Sequence, residues 1–172
     1  MITDIITYPS PIGLLTIAAD GSFLCGLWME GQKHFGGVSW NSKLLVHHGK
    51  TISPKTASSP ILNATIHWLD LYFKGEKPSI ESLSLLPQGT DFQRRVWKSL
   101  CDIPYGETTT YGELAKELKT SARAVGTAVG RNPIGIIIPC HRVIGADGQL
   151  TGYAGGIEKK VWLLEFEKTI GH

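Results

Sequence analysis

The chain has 172 residues, of which 42% are hydrophobic and 19% charged, with 20 Gly and 9 Pro. That length allows one sizeable core, or a small core plus a compact second module, and excludes a large multidomain enzyme; the composition excludes fibrous and extended disordered chains. The formal charge of +2 divides as 6 Lys+Arg against 6 Asp+Glu over residues 1–90 and 11 against 9 over residues 91–172. So small an excess permits a nucleic-acid partner without arguing for one.

No apolar run approaches the roughly 18–20 residues of a membrane span, and Met1–Pro11 lacks the basic-then-apolar pattern of a signal peptide, so a cytoplasmic protein is expected, nuclear in a nucleated cell. Cys25, Cys101 and Cys140 are an odd number of thiols, which argues for free cysteines rather than a disulfide framework.

Along the chain, Ile2–Tyr8, Leu14–Ala19 and Phe23–Met29 read as an antiparallel meander joined by Pro- and Gly-containing turns. The stretch from Glu30 to Ser59 is left unassigned, with Lys43–His48 a candidate short strand. From Pro60 the spacing Leu62, Ile66, Leu69, Phe73 predicts a helix ending at Lys74-Gly75, and Ser79–Leu86 reads as a strand running into a linker at Pro87–Thr90. A domain boundary is expected there, giving residues 1–86 and 87–172.

Past the linker, Thr90-Asp-Phe-Gln93 fits a capping box for a helix with Phe92, Val96 and Leu100 facing a core. Thr110-Tyr-Gly-Glu113 opens a second helix carrying Leu114 and Leu118, and Ser121 caps a third that runs to about Val129. Two short helices joined by a tight turn make a helix-turn-helix, which is either a DNA-docking unit or an ordinary helical corner. The third helix is nearly free of bulk: Ala122, Ala124, Gly126, Thr127, Ala128 and Gly130 surround one long cation, Arg123. Glycine inside a helix costs about 1 kcal/mol relative to alanine, so something approaches that backbone closely, either a packed neighbour or a groove.

The apolar run Ile134–Ile138 reads as a buried strand that delivers Cys140 beside His141. A nucleophilic cysteine acts as thiolate, and a histidine that takes the proton is the usual route to one near neutral pH. Adjacent residues of an extended chain point to opposite faces, so a bridging water is the expected link between the two side chains.

The segment Pro139-Cys-His-Arg-Val-Ile144, with Thr151-Gly-Tyr-Ala-Gly-Gly156 and Lys160-Val-Trp-Leu-Leu164, resembles the active-site signature of the O6-alkylguanine-DNA alkyltransferases. The upstream motifs Asp91–Trp97, Ile103–Glu107, Tyr111 and Ser121–Gly126 extend that resemblance colinearly over residues 91–167. The resemblance implies an α/β N-terminal domain of ribonuclease-H-like fold and a mostly α, winged-helix-like C-terminal domain carrying the helix-turn-helix. It also implies direct-reversal DNA repair: one irreversible, stoichiometric transfer of a methyl or larger alkyl group from guanine O6 in DNA to Cys140, with O4-alkylthymine as a second candidate substrate.

By the same resemblance, His141 acts through a water as general base for the thiol, and Glu167 holds the imidazole tautomer. Asn132 ties the turn after the third helix to the active-site segment. Tyr111 donates a hydrogen bond to the extruded base, while Tyr153, Ala154 and Val143 surround that base. Ala154 stands where some relatives carry serine, which leaves its backbone N–H for O6. Arg123, with Ala122 and Thr127 beside it, is implied to enter the minor groove of double-stranded DNA and fill the gap left by the rotated nucleotide. No cofactor is implied, and a monomer is expected. Some relatives hold a structural zinc, which would involve Cys25 with His34, His47 or His48, but no Cys-x2–4-Cys pair is present and none is expected to bind. The rival readings are a lesion sensor that binds without transfer, a helix-turn-helix regulator and a cysteine hydrolase that turns over.

Overall fold

The computed structural model of the chain describes residues 2–36 and 59–171. Strands β1 (Asp4–Ser10), β2 (Gly13–Asp20) and β3 (Phe23–Met29) form an antiparallel meander in the order β1-β2-β3. Alternation sets its two faces: Leu15, Ile17 and Ala19 enter the main core, while Ala18 joins Cys25 and Trp28 in a small cluster on the other side. The candidate strand at Lys43–His48 lies outside the described residues, as do His47 and His48.

Helix α1 (Pro60–Phe73) lies over the sheet, with proline in its first turn, where the missing N–H costs nothing. Its buried face is Ile61, Leu62, Thr65, Trp68, Leu69 and Tyr72, a stripe rotated from the expected Leu62, Ile66, Leu69, Phe73 because Trp68 and Tyr72 bring more area inward. Ser79–Leu86 is not the strand its composition predicts. The Ser79 hydroxyl accepts from the Glu81 N–H and starts a single 3-10 turn, Ile80–Ser82. Only the end of the segment pairs with β3, through Leu24 N–H to Ser84 C=O and Leu86 N–H to Leu24 C=O, both at 2.8 Å.

The second half is built from α2 (Asp91–Cys101), β4 (Thr109–Thr110), α3 (Tyr111–Leu118), α4 (Ala122–Gly130), β5 (Val143–Ile144) and α5 (Ile157–Gly171). Thr90 and Thr110 each close a reciprocal capping box, with Gln93 and Glu113. Lys119, in the left-handed region at φ 55°, ends α3, and Ser121 caps α4, so the helix-turn-helix corner is three residues long. β4 and β5 pair in parallel and form the small wing.

The apolar run before Cys140 is likewise not a strand. Ile134 alone bridges β3, and the chain then turns, with Ile136 at φ 67° and Ile138 N–H bonded to Ile134 C=O. Asn132 makes this possible: its Nδ2 donates to Ile138 C=O at 2.8 Å and its Oδ1 accepts from Ile134 N–H at 3.0 Å, so a fully buried, tightly turned backbone keeps its polar groups paired. Residues of both halves share one continuous apolar core, from Ile6 to Leu163. No helix among the described residues is long and apolar enough to cross a membrane.

Candidate active site

Cys140, His141 and Arg142 form a single 3-10 turn that follows the stapled Ile134–Ile138 segment, so the extended geometry expected for Cys140 and His141 does not occur. All three are buried, and Cys140 lies at the bottom of a cavity of about 1000 Å³ that opens between α4, the segment Gly31–His34 and the loop Thr151–Gly156.

Behind the cysteine, α5 turns one face inward with Lys160, Leu163, Leu164 and Glu167 buried at helical spacing. Glu167, which taken bare would be a solvated helix-end charge, has no exposed surface. Its Oε1 accepts from His141 Nε2 at 2.7 Å, Tyr72 Oη at 2.8 Å and an Arg142 terminal nitrogen at 2.9 Å. Its Oε2 accepts from Arg142 Nε at 2.9 Å and Gly106 N–H at 3.3 Å. Gly106 has φ +80° and its missing Cβ would sit 3.4 Å from the Glu167 carbonyl oxygen, so glycine is what lets that amide reach the carboxylate.

Burial alone would raise the Glu167 pKa, but hydrogen bonds from His141 and Arg142 and the positive charge of Arg142 hold it well below the usual carboxylate range. An ionised carboxylate only accepts, so His141 Nε2 carries the proton and Nδ1 presents the lone pair. Nδ1 is buried and bonds to no group among the described residues. Burial first, then the charges of Arg142 and Lys160, pull the His141 pKa down against the opposing pull of Glu167, which keeps the imidazole neutral.

Burial also pushes the Cys140 thiol up, opposed by Asn132, the Lys160 charge and Tyr153. The resting sulfur is therefore a thiol that must lose its proton to react. Lys160 Nζ donates to the carbonyls of Val143 at 2.6 Å, Thr151 at 3.2 Å and Gly152 at 3.4 Å, tying the end of the reactive turn to the loop beside it. Cys25 and Cys101 are both pushed up to about 11, chiefly by burial, and among the described residues they bond the backbone carbonyls of Ala18 and Trp97.

Of the residues singled out in the sequence, Tyr111, Ala122, Arg123, Thr127, Asn132, Cys140, Tyr153 and Ala154 line the cavity. Val143, expected around the base, is not among the residues lining the cavity: it is fully buried in β5, and Lys160 holds its carbonyl. The Tyr111 hydroxyl donates to Thr151 C=O at 3.5 Å. His141 and Glu167 stand in the wall behind the sulfur. Sequence reasoning missed Tyr72, Arg142 and Lys160, although the last two had a trace: Lys160 recurs at the 160, 163, 164, 167 spacing of the buried α5 face, and Arg142 sits inside the reactive pentapeptide.

Helix α4 buries Val125, Ala128 and Val129 and leaves Ala122, Arg123 and Thr127 exposed at the cavity mouth. A Cβ at Gly126 would meet only ordinary contact with the Tyr111 ring at 3.7 Å, and one at Gly130 would meet nothing within 4 Å. Among the described residues, packing requires neither glycine.

Two family models match the chain: "6-O-methylguanine DNA methyltransferase, ribonuclease-like domain" over residues 5–87 and "6-O-methylguanine DNA methyltransferase, DNA binding domain" over residues 91–169. The chain belongs to the O6-methylguanine-DNA methyltransferase family. It is 46% identical over 166 residues to a methylated-DNA–protein-cysteine methyltransferase of Mycobacterium tuberculosis, covering 95% of this chain and 91% of that one. A protein of the same name from Haemophilus influenzae is 40% identical over 163 residues, covering 94% and 84%. The crystal structure of Mycobacterium tuberculosis OGT in complex with DNA superposes with TM-score 0.77 at 45% identity, covering 96% and 93% of the two chains. The fold is accordingly that of the family, with a ribonuclease-like first half and a DNA-binding second half.

Proposed function

We propose that this chain repairs DNA by direct reversal, with Cys140 as the acceptor that takes the alkyl group from guanine O6 and keeps it as a thioether. The observation that carries the assignment to Cys140 is its place in the lining of the cavity, with a neutral, tautomer-fixed imidazole next to it in the chain; among the described residues, Cys25 and Cys101 bond backbone carbonyls instead. His141 Nδ1 receives the thiol proton through a water, Nε2 remains hydrogen-bonded to Glu167, and the thiolate displaces guanine from the alkyl carbon. The S–C bond forms as the C–O bond breaks, and the electron pair leaves with guanine O6. Tyr111 supplies a proton to the departing base, which leaves as neutral guanine. No group regenerates the thiol, so each protein acts once.

O6 lies inside the duplex, so the nucleotide rotates into the cavity, where Tyr153 and the Ala154 N–H flank the base. Ala122, Thr127 and Arg123 face the minor groove, and Arg123 fills the vacated stack. Asn132 keeps the reactive turn in place. In this reading the two units divide between residues 86 and 87, the protein acts as a monomer, and no cofactor enters the reaction. Incubation with duplex DNA containing O6-methylguanine, followed by intact-protein and peptide mass measurement, tests it. One methyl per protein on Cys140, with no further turnover and none on Cys140→Ala, is expected; methyl on Cys25 or Cys101, or repeated turnover, contradicts it.

A further inference from the structure

Glu167 is the hub of the site, and one of its donors comes from the other half of the chain. Tyr72 belongs to α1, the helix that covers the N-terminal sheet, and its hydroxyl reaches across 95 positions of sequence to Oε1 at 2.8 Å. That is the oxygen His141 Nε2 also uses. The contact is built rather than incidental. Tyr72 is 1% exposed, and its ring is stacked on Trp68, edge-on to Phe73 and Tyr105, and tilted against Phe166 of α5. Such packing leaves the hydroxyl no other direction. Burial, together with the negative charge and hydrogen bond of Glu167, pushes the phenol far up, so it stays a donor throughout the working pH range.

We propose that Tyr72 is a positioning residue of the alkyl-transfer relay, by which the N-terminal domain sets the basicity of His141 through Glu167. The inference rests on the relay proposed above. Oε1 has three donors, and each draws on the same lone-pair density. Arg142 and Tyr72 thereby limit how strongly the carboxylate stabilises an imidazolium at His141, and the imidazole stays neutral and ready to accept a proton at lower pH. The other groups that bear on the pair are accounted for. Tyr105 and Tyr153 face Glu167 as neutral phenols with pKa values raised chiefly by burial, Arg142 is a fixed cation, and Lys160 opposes charging of His141 from its own helix. Of the three donors to Oε1, the Tyr72 hydroxyl can be removed without deleting a charge or a ring.

Tyr72→Phe keeps the aromatic cluster and deletes the donor. With one competitor fewer on Oε1, Glu167 holds the imidazolium more strongly, and the His141 pKa rises. The acid limb of the pH–rate profile for single-turnover transfer to Cys140 should then move upward by on the order of half a pH unit. The rate loss below the limb should be about threefold greater than the loss on the plateau, the same shift expressed as a rate. A merely structural role would scale the rate equally at every pH, and a limb that stays put or moves down overturns the proposal. Nuclear magnetic resonance of the unaltered protein gives a second test that needs no variant. A slowly exchanging Tyr72 hydroxyl proton, close to the His141 Nε2 proton, is expected, and a rapidly exchanging hydroxyl overturns the assignment. The unaltered protein also serves as the control for the underlying reading. Absence of transfer to Cys140 there overturns the proposed function, whereas normal transfer with an unmoved limb in Tyr72→Phe overturns only the role of Tyr72.

Discussion

Cys140 lies between two regions built on opposite rules. Behind it, Glu167 gathers His141, Arg142, Tyr72 and the Gly106 amide in a space closed to solvent. In front, α4 offers Ala122, Arg123 and Thr127 on a face with little side-chain bulk, where the hydroxyl of Thr127 bonds only its own helix, at Arg123 C=O. The rear region fixes protons and charges and depends on complete pairing, because an unpaired charge in a dry site is costly. The front region carries two glycines in a helix, at a cost in helix propensity, and leaves the helix surface open. Substitutions behind the sulfur should therefore change stability and chemistry together, while those in front should change the response to DNA.

The largest effect is expected from Glu167→Ala. It strands the Arg142 guanidinium, which would keep only its bond to Ile103 C=O, and frees the His141 tautomer. Loss of one partner of a buried ion pair costs about 3–5 kcal/mol, which denaturant unfolding would show, and alkyl transfer should slow. A loss below about 1 kcal/mol, the range of exposed ion pairs, would mean the rear region is not closed.

Acid should act on the same region. Glu167 has a folded-state pKa below its ordinary 4.5, so its contribution is full above 4.5 and is lost as the pH falls toward the folded value. His141 also has a folded-state pKa below its ordinary 6.5, so the unfolded chain takes up a proton first and stability begins to fall as the pH drops through 6.5. Melting temperatures should be level with respect to these two groups near pH 7–8, decline from about pH 6.5 and steepen below about 4.5. In His141→Gln the first decline should shrink; its persistence unchanged would remove His141 from the account.

A smaller effect of two opposite signs is expected at Gly126→Ala. The added Cβ meets only the Tyr111 ring at ordinary contact distance, and alanine is the better helix former by about 1 kcal/mol, so the folded protein should be slightly more stable. If α4 faces DNA as proposed, the same methyl narrows that face, so duplex affinity at fixed salt should fall. Greater stability with unchanged affinity would show that the small residues of α4 do not serve DNA.

The two regions were also unequally legible in the sequence. The front could be read almost entirely, because capping boxes, a serine cap and a run of small residues around Arg123 are local signals. In the rear, the residues themselves show Cys140 beside His141 and the resemblance adds Glu167, but neither gives their real geometry. The β-branched run Ile134–Ile138 imitates a strand, and only Asn132, bonding both ends of the turn, shows why it is not one. Tyr72 reads as one more core aromatic of α1, since nothing local marks which tyrosine hydroxyl will meet a carboxylate from the far end of the chain. The 3-10 turn at Ile80–Ser82 was missed for a similar reason: the Ser79 side-chain bond that starts it competes with strand pairing, while hydropathy registers only the apolar residues.

The division of labour is tested most directly by comparing single-turnover rates on duplex DNA and on free O6-benzylguanine for Arg123→Ala and His141→Gln, with DNA saturating and salt fixed. A free base has no stack to leave, whereas extrusion from the duplex costs a few kcal/mol that an inserted side chain offsets in part. Arg123→Ala should slow the duplex reaction and leave the free-base rate near its original value, while His141→Gln should slow both. Equal losses on the two substrates for Arg123→Ala would contradict the account, and Arg123 would then belong to the pocket or the fold rather than to the DNA-facing side.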